Sequence, residues 1–413
     1  MLKVLKRLIT RSYRVRFLYW LCCLNPIDLA ARYLPVGTSG RAAKRRVAFV
    51  RLDGIGDYVI WSHTFDALDK IYPRESYERI LIGSELWEDL SRNEVLFDKA
   101  IYLDPPRAIT DPIYRFRVFR SIRREAVNVV VNPRLTREFI LMDSVVRVSG
   151  AAMRIGSAGK ANRMFKLQER LSNSWYSRLA PGPERQEHEL ISNFRFLESL
   201  DAGRSFDPHL RKIAEPGEAD SVPELADIGY FVVFPGAQQG DKMWPIERFA
   251  EAAKAIAERS GLQAVICGGP GDKALAEEFG RSFGPGYLDL TGRISLTQMC
   301  RVIEGAELLI SNDTGAGHIA VARGCPTVIV TPGNHVGRFF PYPPEMMSEH
   351  APQISVTHEM PCFGCDWHCK FTEIPPGEPK PCISDIPVSD VLNAAERALG
   401  TLSRRHEKQV VNY

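Results

Sequence analysis

The chain has 413 residues, of which 45% are hydrophobic and 25% are charged. This length predicts two domains of ordinary size, and the composition is typical of a soluble globular protein. The net charge is only +3, so the chain lacks the overall positive charge that favours nucleic acids and other polyanions. We therefore expect no nucleic-acid partner.

The first 20 residues carry six basic side chains and no acidic one: Lys3, Lys6, Arg7, Arg11, Arg14 and Arg16. The apolar run Phe17 to Leu24 that follows is too short to span a bilayer, which takes ~20 residues. No small-residue cleavage site comes after it, unlike in a signal peptide. One interpretation is a helix in the membrane interface, with Phe17, Tyr19, Trp20 and Leu21 in lipid. The alternative is a basic extension that is disordered or docked on the core.

From residue 46 onward, short apolar strands alternate with helical patterns. Such alternation predicts a parallel sheet covered by helices on both faces. The predicted elements of the first half are strands Val47 to Val50, Ile80 to Ile82, Ala100 to Leu103 and Val127 to Val131, with a helix from Tyr58 to Ile71.

Residues 157–227 are more polar and rich in proline, and contain one predicted helix, Glu187 to Leu200. The alternation then restarts. Its predicted strands are Tyr230 to Phe234, Ala264 to Cys267, Tyr287 to Leu290, Leu308 to Ile310 and Thr327 to Val330, and its predicted helices are Pro245 to Arg259, Asp272 to Phe283 and Leu296 to Glu304. Two doubly wound domains with a cleft between them follow. We place a basic extension at 1–45, the N-terminal domain and linker at 46–227, the C-terminal domain at 228–387, and a final helix and tail at 388–413.

The first polar loop, Arg51 to Asp57, follows the first strand. Its glycines, including Gly56, would let the backbone approach a ligand closely, and Asp57 opens the next helix. Asp57 is therefore either a functional carboxylate or an ordinary helix cap, since Asp is favoured there. The three-glycine dinucleotide fingerprint is incomplete at this position.

Two further polar loops follow strands of the second half. Phe234 to Pro245 contains Gly236, Ala237 and Lys242, and its backbone N–H groups and lysine would suit a diphosphate. A solvated loop with a surface lysine is the alternative. Cys267 to Asp272 would receive a nucleoside, with Asp272 or Lys273 touching its ribose or base. The alternative is a tight turn in which Asp272 caps a helix.

The richest stretch is Ser311 to His318, in the order Ser-Asn-Asp-Thr-Gly-Ala-Gly-His. It joins a short apolar strand to a predicted helix, and a helix N-terminus favours phosphate through its bare N–H groups and its dipole. Asp313 and Thr314 would otherwise only cap the helix, and His318 would be a satisfied helix histidine. Because three such loops belong to one predicted sheet, we expect them to open on one edge.

Taken in order, the loops Arg-Leu-Asp-Gly-Ile-Gly-Asp, Pro-Gly-Ala…Asp-Lys-Met-Trp-Pro and Ser-Asn-Asp-Thr-Gly-Ala-Gly-His-Ile-Ala resemble the lipopolysaccharide heptosyltransferase family, glycosyltransferase family 9. The resemblance covers roughly residues 46–400. It implies the α/β fold GT-B, with two doubly wound Rossmann-like domains facing across a cleft. It also implies metal-independent, inverting transfer of a sugar from a nucleotide-diphosphate donor such as ADP-heptose to a lipopolysaccharide-core or related acceptor.

The resemblance also implies roles for individual residues. Asp57 matches the family's catalytic aspartate and Lys242 its phosphate-binding lysine. Asp313, Thr314 and Gly315 match its donor loop, and Asp272 is a looser match to an acidic nucleoside contact. His318 matches the motif histidine, with a structural or donor-facing role. Asp57 would then be a general base toward the acceptor, while Lys242 and the helix start at Gly315 would stabilise the departing diphosphate.

Four of the nine cysteines cluster near the C-terminus with the spacing C-x2-C-x3-C-x12-C: Cys362, Cys365, Cys369 and Cys382. The spacing suits a structural zinc site, but free or disulfide-linked thiols and iron–sulfur ligation stay open. Cys267, Cys300 and Cys325 lie in apolar segments and are predicted to be core residues. With no convincing secretion signal, a reducing cytosol is the expected compartment.

Two other functions stay open. A nucleotide-sugar 2-epimerase of the same architecture would consume the donor without an acceptor, and a nucleotide-binding module would use Asp57 only as a cap. The preferred reaction places the protein in the cytoplasm, peripheral at the inner face of the inner membrane, with its basic N-terminus drawn to anionic lipid.

Overall fold

The computed structural model describes residues 13–37, 44–159, 164–183, 185–201, 203–213, 217–348, 350–366 and 368–410. Lys3, Lys6, Arg7 and Arg11 of the basic extension lie outside these ranges. The chain forms two compact units: residues 1–185 with 190–208, and residues 186–189 with 209–413. The division thus falls near residue 209, ahead of the predicted boundary at 227.

The first unit is built on a six-stranded parallel sheet in the order β3-β2-β1-β4-β5-β6. Its strands are β1 (Arg45–Val50), β2 (Tyr77–Ser84), β3 (Lys99–Leu103), β4 (Val129–Asn132), β5 (Met153–Ser157) and β6 (Arg178–Ala180). Its helices are α1 (Tyr13–Tyr19), α2 (Asn25–Tyr33), α3 (Ile55–Ser62), α4 (Phe65–Ile71), α5 (Glu88–Ser91), α6 (Pro105–Thr110), α7 (Pro112–Arg124), α8 (Met142–Ser149), α9 (Lys166–Ser174) and α10 (Glu189–Leu200). The chain reverses its direction of travel across the sheet between β1 and β4, where such folds bind ligands.

The N-terminal helices α1 and α2, joined by the π-helix Trp20–Leu24, are docked on the first unit. Trp20 is buried against Phe139 and Trp175. Tyr19 is half-buried, and its hydroxyl donates to the carbonyl oxygen of Ile109 at 3.1 Å. The prediction that Trp20 lies in lipid is therefore wrong, because its ring fills a pocket of the protein core.

A buried ion pair fixes this docking. The Arg115 guanidinium lies 2.6 Å from the Asp28 carboxylate, and both side chains are fully buried. Arg115 also donates to the carbonyl oxygens of Ala108 and Ile140. Because every charge in this cluster has partners, the cost of burying the pair is offset.

The second unit carries a six-stranded parallel sheet in the order β12-β11-β10-β7-β8-β9. Its strands are β7 (Tyr230–Phe234), β8 (Gln263–Ile266), β9 (Tyr287–Asp289), β10 (Leu309–Asn312), β11 (Thr327–Val330) and β12 (Gln353–Val356). Its helices are α11 (Ile246–Ser260), α12 (Lys273–Phe283), α13 (Leu296–Glu304), α14 (Gly315–Arg323), α15 (Pro344–Met347), α16 (Pro381–Ser384) and α17 (Val388–Val410). As in the first unit, the first strand in the chain, β7, lies at the centre of the sheet beside the fourth, β10.

The last helix, α17, packs on α11 and on the strands β11 and β12, of which β12 lies at the edge of the sheet. Its buried face contributes Val391, Ala394, Ala395 and Ala398 to the main core of the second unit. The predicted final helix is therefore part of this unit. None of the described helices is long and apolar enough to cross a membrane.

Most predicted elements are present, with three strands missed and one helix divided. β5, β6 and β12 were not predicted because charged or polar residues interrupt their short apolar patterns. The predicted helix from Tyr58 to Ile71 is divided into α3 and α4 at His63 and Thr64. The parallel α/β architecture itself is confirmed.

Candidate functional site

Three polar loops of the second unit follow the adjacent central strands β10, β7 and β8. All three strands run parallel, so their carboxyl ends lie on the same edge of the sheet. The predicted convergence of the loops is confirmed. This edge lies where the connections leave the sheet in opposite directions, the usual ligand-binding position of a doubly wound fold.

Asn312, the last residue of β10, holds both ends of the loop between β7 and α11. Its side-chain amide donates to the Pro235 carbonyl oxygen at 2.6 Å, and its Oδ1 accepts from the Trp244 backbone N–H at 3.0 Å. Asn312 is fully buried. It was not among the predicted site residues, although its place inside the richest motif was an available signal.

Asp272 connects the loops that follow β7 and β8. Its carboxylate accepts from the Gly269 N–H at 2.8 Å. A Cβ added at Gly236 would lie 2.8 Å from the Asp272 carboxyl carbon, so any other residue at this position would require Asp272 to move. The geometry gives Asp272 the capping role that was one of its two interpretations, and places it against the Gly236 loop.

The richest motif begins α14 as expected. Thr314 precedes the first helical residue Gly315, and its hydroxyl lies 3.1 Å from the Ser311 hydroxyl. Asp313, Thr314 and Gly315 are half-buried, whereas the rest of the helix is buried. The helix N-terminus, with its N–H groups and dipole, is thus the part that a ligand can reach.

Lys242 and Ala237 belong to the loop between β7 and α11. Lys242 ends the short 3-10 helix Gly240–Lys242, and both residues are half-buried. The loop is thus anchored at Pro235 and Trp244, on either side of the lysine, by the single side chain of Asn312.

His318 is the fourth residue of α14 and is 3% exposed. Its Nδ1 is 2.9 Å from the Tyr342 hydroxyl, and its ring stacks on Phe340 with ring centres 4.3 Å apart. These contacts favour the structural role for His318 over a donor-facing one.

In the first unit, Asp57 lies in the first turn of α3, and Gly56 precedes it. The Asp57 carboxylate accepts from the Gly54 N–H at 3.3 Å, while its carbonyl oxygen accepts from Arg51 at 3.1 Å. Asp57 is half-buried. It therefore makes a capping contact while the residue stays partly exposed.

A second carboxylate, Asp53, lies near Asp57 and was not predicted as a site residue. Its oxygen is 3.1 Å from Arg51 and 3.7 Å from Arg134, and its side chain is 3% exposed. Burial raises the pKa of Asp53 to about 6; Arg51 lowers this pKa, Asp57 raises it and Arg134 lowers it. Sequence alone does not show burial of a charged residue in a glycine-rich loop.

The four clustered cysteines are half-buried. Burial raises the pKa of Cys382; the Gly333 backbone lowers this pKa, and the neighbouring thiols of Cys365, Cys369 and Cys362 raise it. Among the residues that the structure describes, no group of three or more His, Cys, Asp or Glu side chains is arranged to hold a metal ion. Structural zinc at these four thiols stays a prediction. Cys267, Cys300 and Cys325 are buried, as expected for core residues.

Solved structures resemble this fold over nearly their whole length. A glycosyl transferase family 9 protein from Veillonella parvula DSM 2008 has a TM-score of 0.66 at 18% identity, covering 88% of this chain and 99% of its own. The E. coli ADP-heptose lps heptosyltransferase II has a TM-score of 0.62 at 14% identity, covering 87% and 99%. The two six-stranded parallel sheets thus belong to the GT-B fold of heptosyltransferases.

Sequence comparison reaches the same family. Lipopolysaccharide heptosyltransferase 1 of Escherichia coli (strain K12) is 31% identical over 106 residues, which span 25% of this chain and 32% of that relative. The alignment therefore covers about a third of the curated relative. The family described as glycosyltransferase family 9 (heptosyltransferase) matches residues 143–364, more than half of the chain. The chain belongs to glycosyltransferase family 9, the heptosyltransferase family.

Proposed function

We propose that this protein is an inverting, metal-independent glycosyltransferase that moves a heptose from ADP-heptose to a lipopolysaccharide-core or related glycan. The observation that carries the proposal is the convergence of three polar loops at adjacent strands β10, β7 and β8, with the start of α14 among them. Family membership supports glycosyl transfer. ADP-heptose is the nucleotide sugar for which the E. coli heptosyltransferase II, a protein of the same fold, is named.

The second unit would hold the donor. N–H groups at the start of α14, around Thr314 and Gly315, would receive the diphosphate, and Lys242 would add a positive charge. Asp313 would contact the donor sugar or phosphate, and Asp272, beside Gly236, the nucleoside. A positive charge that lies where negative charge develops stabilises the transition state more than the bound donor, so Lys242 and the α14 N-terminus would assist departure of the diphosphate.

The first unit would supply the base through Asp57. The Asp57 carboxylate would take the proton of the acceptor hydroxyl as that oxygen forms a bond to the anomeric carbon. The bond from the anomeric carbon to the diphosphate breaks, and its electron pair leaves with the nucleoside diphosphate. Attack from the face opposite to the leaving group inverts the anomeric configuration. A positioned base contributes about 10²–10⁴-fold to the rate.

Metal independence is supported by the charges that would surround the diphosphate. The sequence contains no Asp-x-Asp pair, whose two carboxylates would suit a divalent cation. Lys242 and the α14 N-terminus are positively polarised groups that would take the place of a cation. The predicted zinc at the clustered cysteines has no part in this reaction, and elemental analysis of anaerobically purified protein tests it separately.

The first unit would also meet an anionic membrane surface, peripherally and from the cytoplasmic side. Leu18 and Leu21, on the N-terminal helices, are 57% and 44% exposed, and Cys22 and Cys23 beside them are exposed. These four side chains are uncharged, and the first 20 residues carry six basic groups. Exposed apolar groups with neighbouring cations suit the interface of an anionic bilayer.

The experiment that tests the reaction supplies the pure protein with a panel of nucleotide sugars, with and without a heptose-deficient lipopolysaccharide acceptor. We expect transfer from ADP-heptose, unchanged by a chelator, with release of ADP and an inverted linkage in the product. Consumption of the donor without an acceptor, giving an epimerised sugar, would indicate the epimerase. Binding of ADP without turnover of any donor would indicate a nucleotide-binding module.

A further inference from the structure

The carboxyl ends of β1 and β4 in the first unit bring together three charged side chains: Arg51, Asp53 and Arg134. Arg51 Nε lies 3.1 Å from Asp53 Oδ2, and Arg134 Nε lies 3.7 Å from the same oxygen. The Arg51 side chain is fully buried, and Arg134 is 26% exposed. These strands flank the point where the sheet reverses its order, which is where ligands bind in such folds.

Arg51 connects Asp53 to the helix that carries Asp57. While its Nε faces the Asp53 carboxylate, its Nη2 donates to the Asp57 carbonyl oxygen at 3.1 Å. The backbone of Asp53 is held separately, because the Trp87 indole N–H donates to its carbonyl oxygen at 3.0 Å. The first turn of α3 is therefore fixed to the end of β1 through one buried guanidinium.

The surroundings of the Asp53 carboxylate differ from those of an ordinary structural ion pair. In the part of the chain that the structure describes, no other residue donates a hydrogen bond to either of its oxygens, although both are buried. The groups that act on it are Arg51 at the end of β1, Asp57 on α3, Arg134 after β4 and its own backbone N–H. A buried charge with so few hydrogen bonds is costly, so stability alone gives little reason for this arrangement.

The Asp53 carboxyl gains or loses its proton within the pH range in which enzymes commonly work. Burial raises its pKa to about 6, against the pull of Arg51, and the Asp57 carboxylate raises it further. Above this pH Asp53 is negatively charged beside Asp57. Movement of the acceptor's proton onto Asp57 would remove the repulsion between these two like charges, which is strongest where water is excluded.

We propose that Asp53 is a positioning residue for Asp57: through Arg51 it fixes the first turn of α3, and its negative charge favours movement of the acceptor's proton onto the Asp57 carboxylate. The proposal rests on the proposed role of Asp57 as the base. Asp53 itself exchanges no proton with the acceptor, and the proton balance of the reaction is unchanged.

The kinetic test compares Asp53→Asn with the matched control Asp89→Asn, whose aspartate is 53% exposed, using ADP-heptose and the lipopolysaccharide acceptor from pH 5 to 8. We expect kcat of Asp53→Asn to fall about 10- to 100-fold, less than the about 10²–10⁴-fold contributed by a positioned acid or base itself, with the KM for ADP-heptose within about threefold. The inflection near pH 6 should be present in the wild type and the control and absent in Asp53→Asn. An unchanged kcat and profile in Asp53→Asn would overturn the proposal.

A second variant and a measurement without substrate cover the case in which Asp53→Asn does not fold. Arg51→Lys keeps the positive charge but cannot hold Asp53 and the Asp57 carbonyl together, so kcat should fall while the inflection stays. An infrared titration of the carboxyl band is made in an Asp143→Asn background, because burial also raises the pKa of Asp143 to about 6. It should show a group near pH 6 that moves to lower pH when Asp57→Asn is added. An unmoved group, or wild-type turnover in Arg51→Lys, would contradict the proposal. Full activity of Asp57→Asn would instead contradict the proposed base.

Discussion

The side chain of Asn312, at the end of β10, donates a hydrogen bond of 2.6 Å to the carbonyl oxygen of Pro235, which follows the neighbouring strand β7. The same side chain accepts from the Trp244 N–H, just before α11. One buried amide thus holds both ends of the loop that carries Lys242. The shape of the proposed diphosphate site therefore depends on a residue that need not touch the donor.

Replacing Asn312 tests whether its side chain holds the loop that carries Lys242. Asn312→Ala leaves a buried carbonyl and a buried N–H without partners, which should destabilise the second unit by about 2–4 kcal/mol and raise the KM for ADP-heptose. Urea unfolding and initial rates measure the two effects. Gln238→Ala, at an exposed position of the same loop, is the control and should change stability by less than about 0.5 kcal/mol. Equal effects of the two variants would show that Asn312 does not hold the loop.

Asp57→Ala should abolish transfer while ADP-heptose binding stays within about threefold, because the base acts on the acceptor and positioned acid–base catalysis contributes about 10²–10⁴-fold. Rates with the acceptor and calorimetric binding of ADP check both parts. Asp66→Ala removes an exposed first-turn aspartate of the next helix and should retain activity. Normal turnover of Asp57→Ala would assign that carboxylate to helix capping alone.

Lys242→Ala should weaken ADP-heptose binding by about tenfold or more, which corresponds to about 1.4 kcal/mol, and should reduce kcat further. The larger loss in kcat is expected because negative charge on the diphosphate grows as the bond to the sugar breaks. Titrations at two salt concentrations and steady-state rates measure both effects. Lys254→Ala, at an exposed position of α11, is the matched control. If Lys242→Ala changed KM and left kcat unchanged, Lys242 would bind the donor without assisting departure of the diphosphate.

The buried Asp143 should give the first unit a pH-dependent stability. Burial raises its pKa to about 6, although Arg137 and the hydroxyls of Ser172 and Tyr176 lower it. Because this pKa lies above that of the unfolded chain, the stabilising contribution is fully present below about pH 4 and is lost as pH rises through about 6. The stability difference between wild type and Asp143→Asn should fall by about 3 kcal/mol from pH 4 to 7.

Urea unfolding at a series of pH values measures this difference. Asp89→Asn alters an exposed aspartate and should give a difference that stays flat across the same range. A flat difference for Asp143→Asn would mean that Asp143 has a similar proton affinity in the folded and unfolded chain.

The exposed N-terminal face predicts membrane binding that depends on leucine. The double variant Leu18→Glu, Leu21→Glu should bind phosphatidylglycerol vesicles about tenfold more weakly or worse, since burying a leucine side chain is worth about 1.5–3 kcal/mol. Vesicle sedimentation measures this. Val95→Glu, at a residue that is 76% exposed elsewhere in the first unit, is the control. Equal binding of both variants would exclude this face as the contact.

Much of the donor side could be predicted from local patterns. The strands Tyr230–Phe234 and Thr327–Val330 and the helix Leu296–Glu304 have the predicted bounds. These segments have strong apolar periodicity and clear turn residues at their ends, and both signals act over a few residues. The polar loops were identifiable for the same reason, because each directly follows a strand.

Burial and long-range pairing were not predictable in the same way. Trp20 was predicted to lie in lipid, yet it packs on Phe139 and Trp175, more than 100 residues away in the chain. Asp53 is one residue of a glycine-rich turn in the sequence, yet it is buried between Arg51 and Arg134. These contacts join segments that no local pattern connects.

The amino-acid order alone therefore establishes the alternating elements, the family and the polar residues at the strand ends, because periodicity and turn chemistry are local. Folding in three dimensions establishes that β10, β7 and β8 are neighbours, that Asn312 holds the Lys242 loop, and that Asp53 lies buried near Asp57. The physical reason is that strand order and desolvation depend on which distant segments pack together.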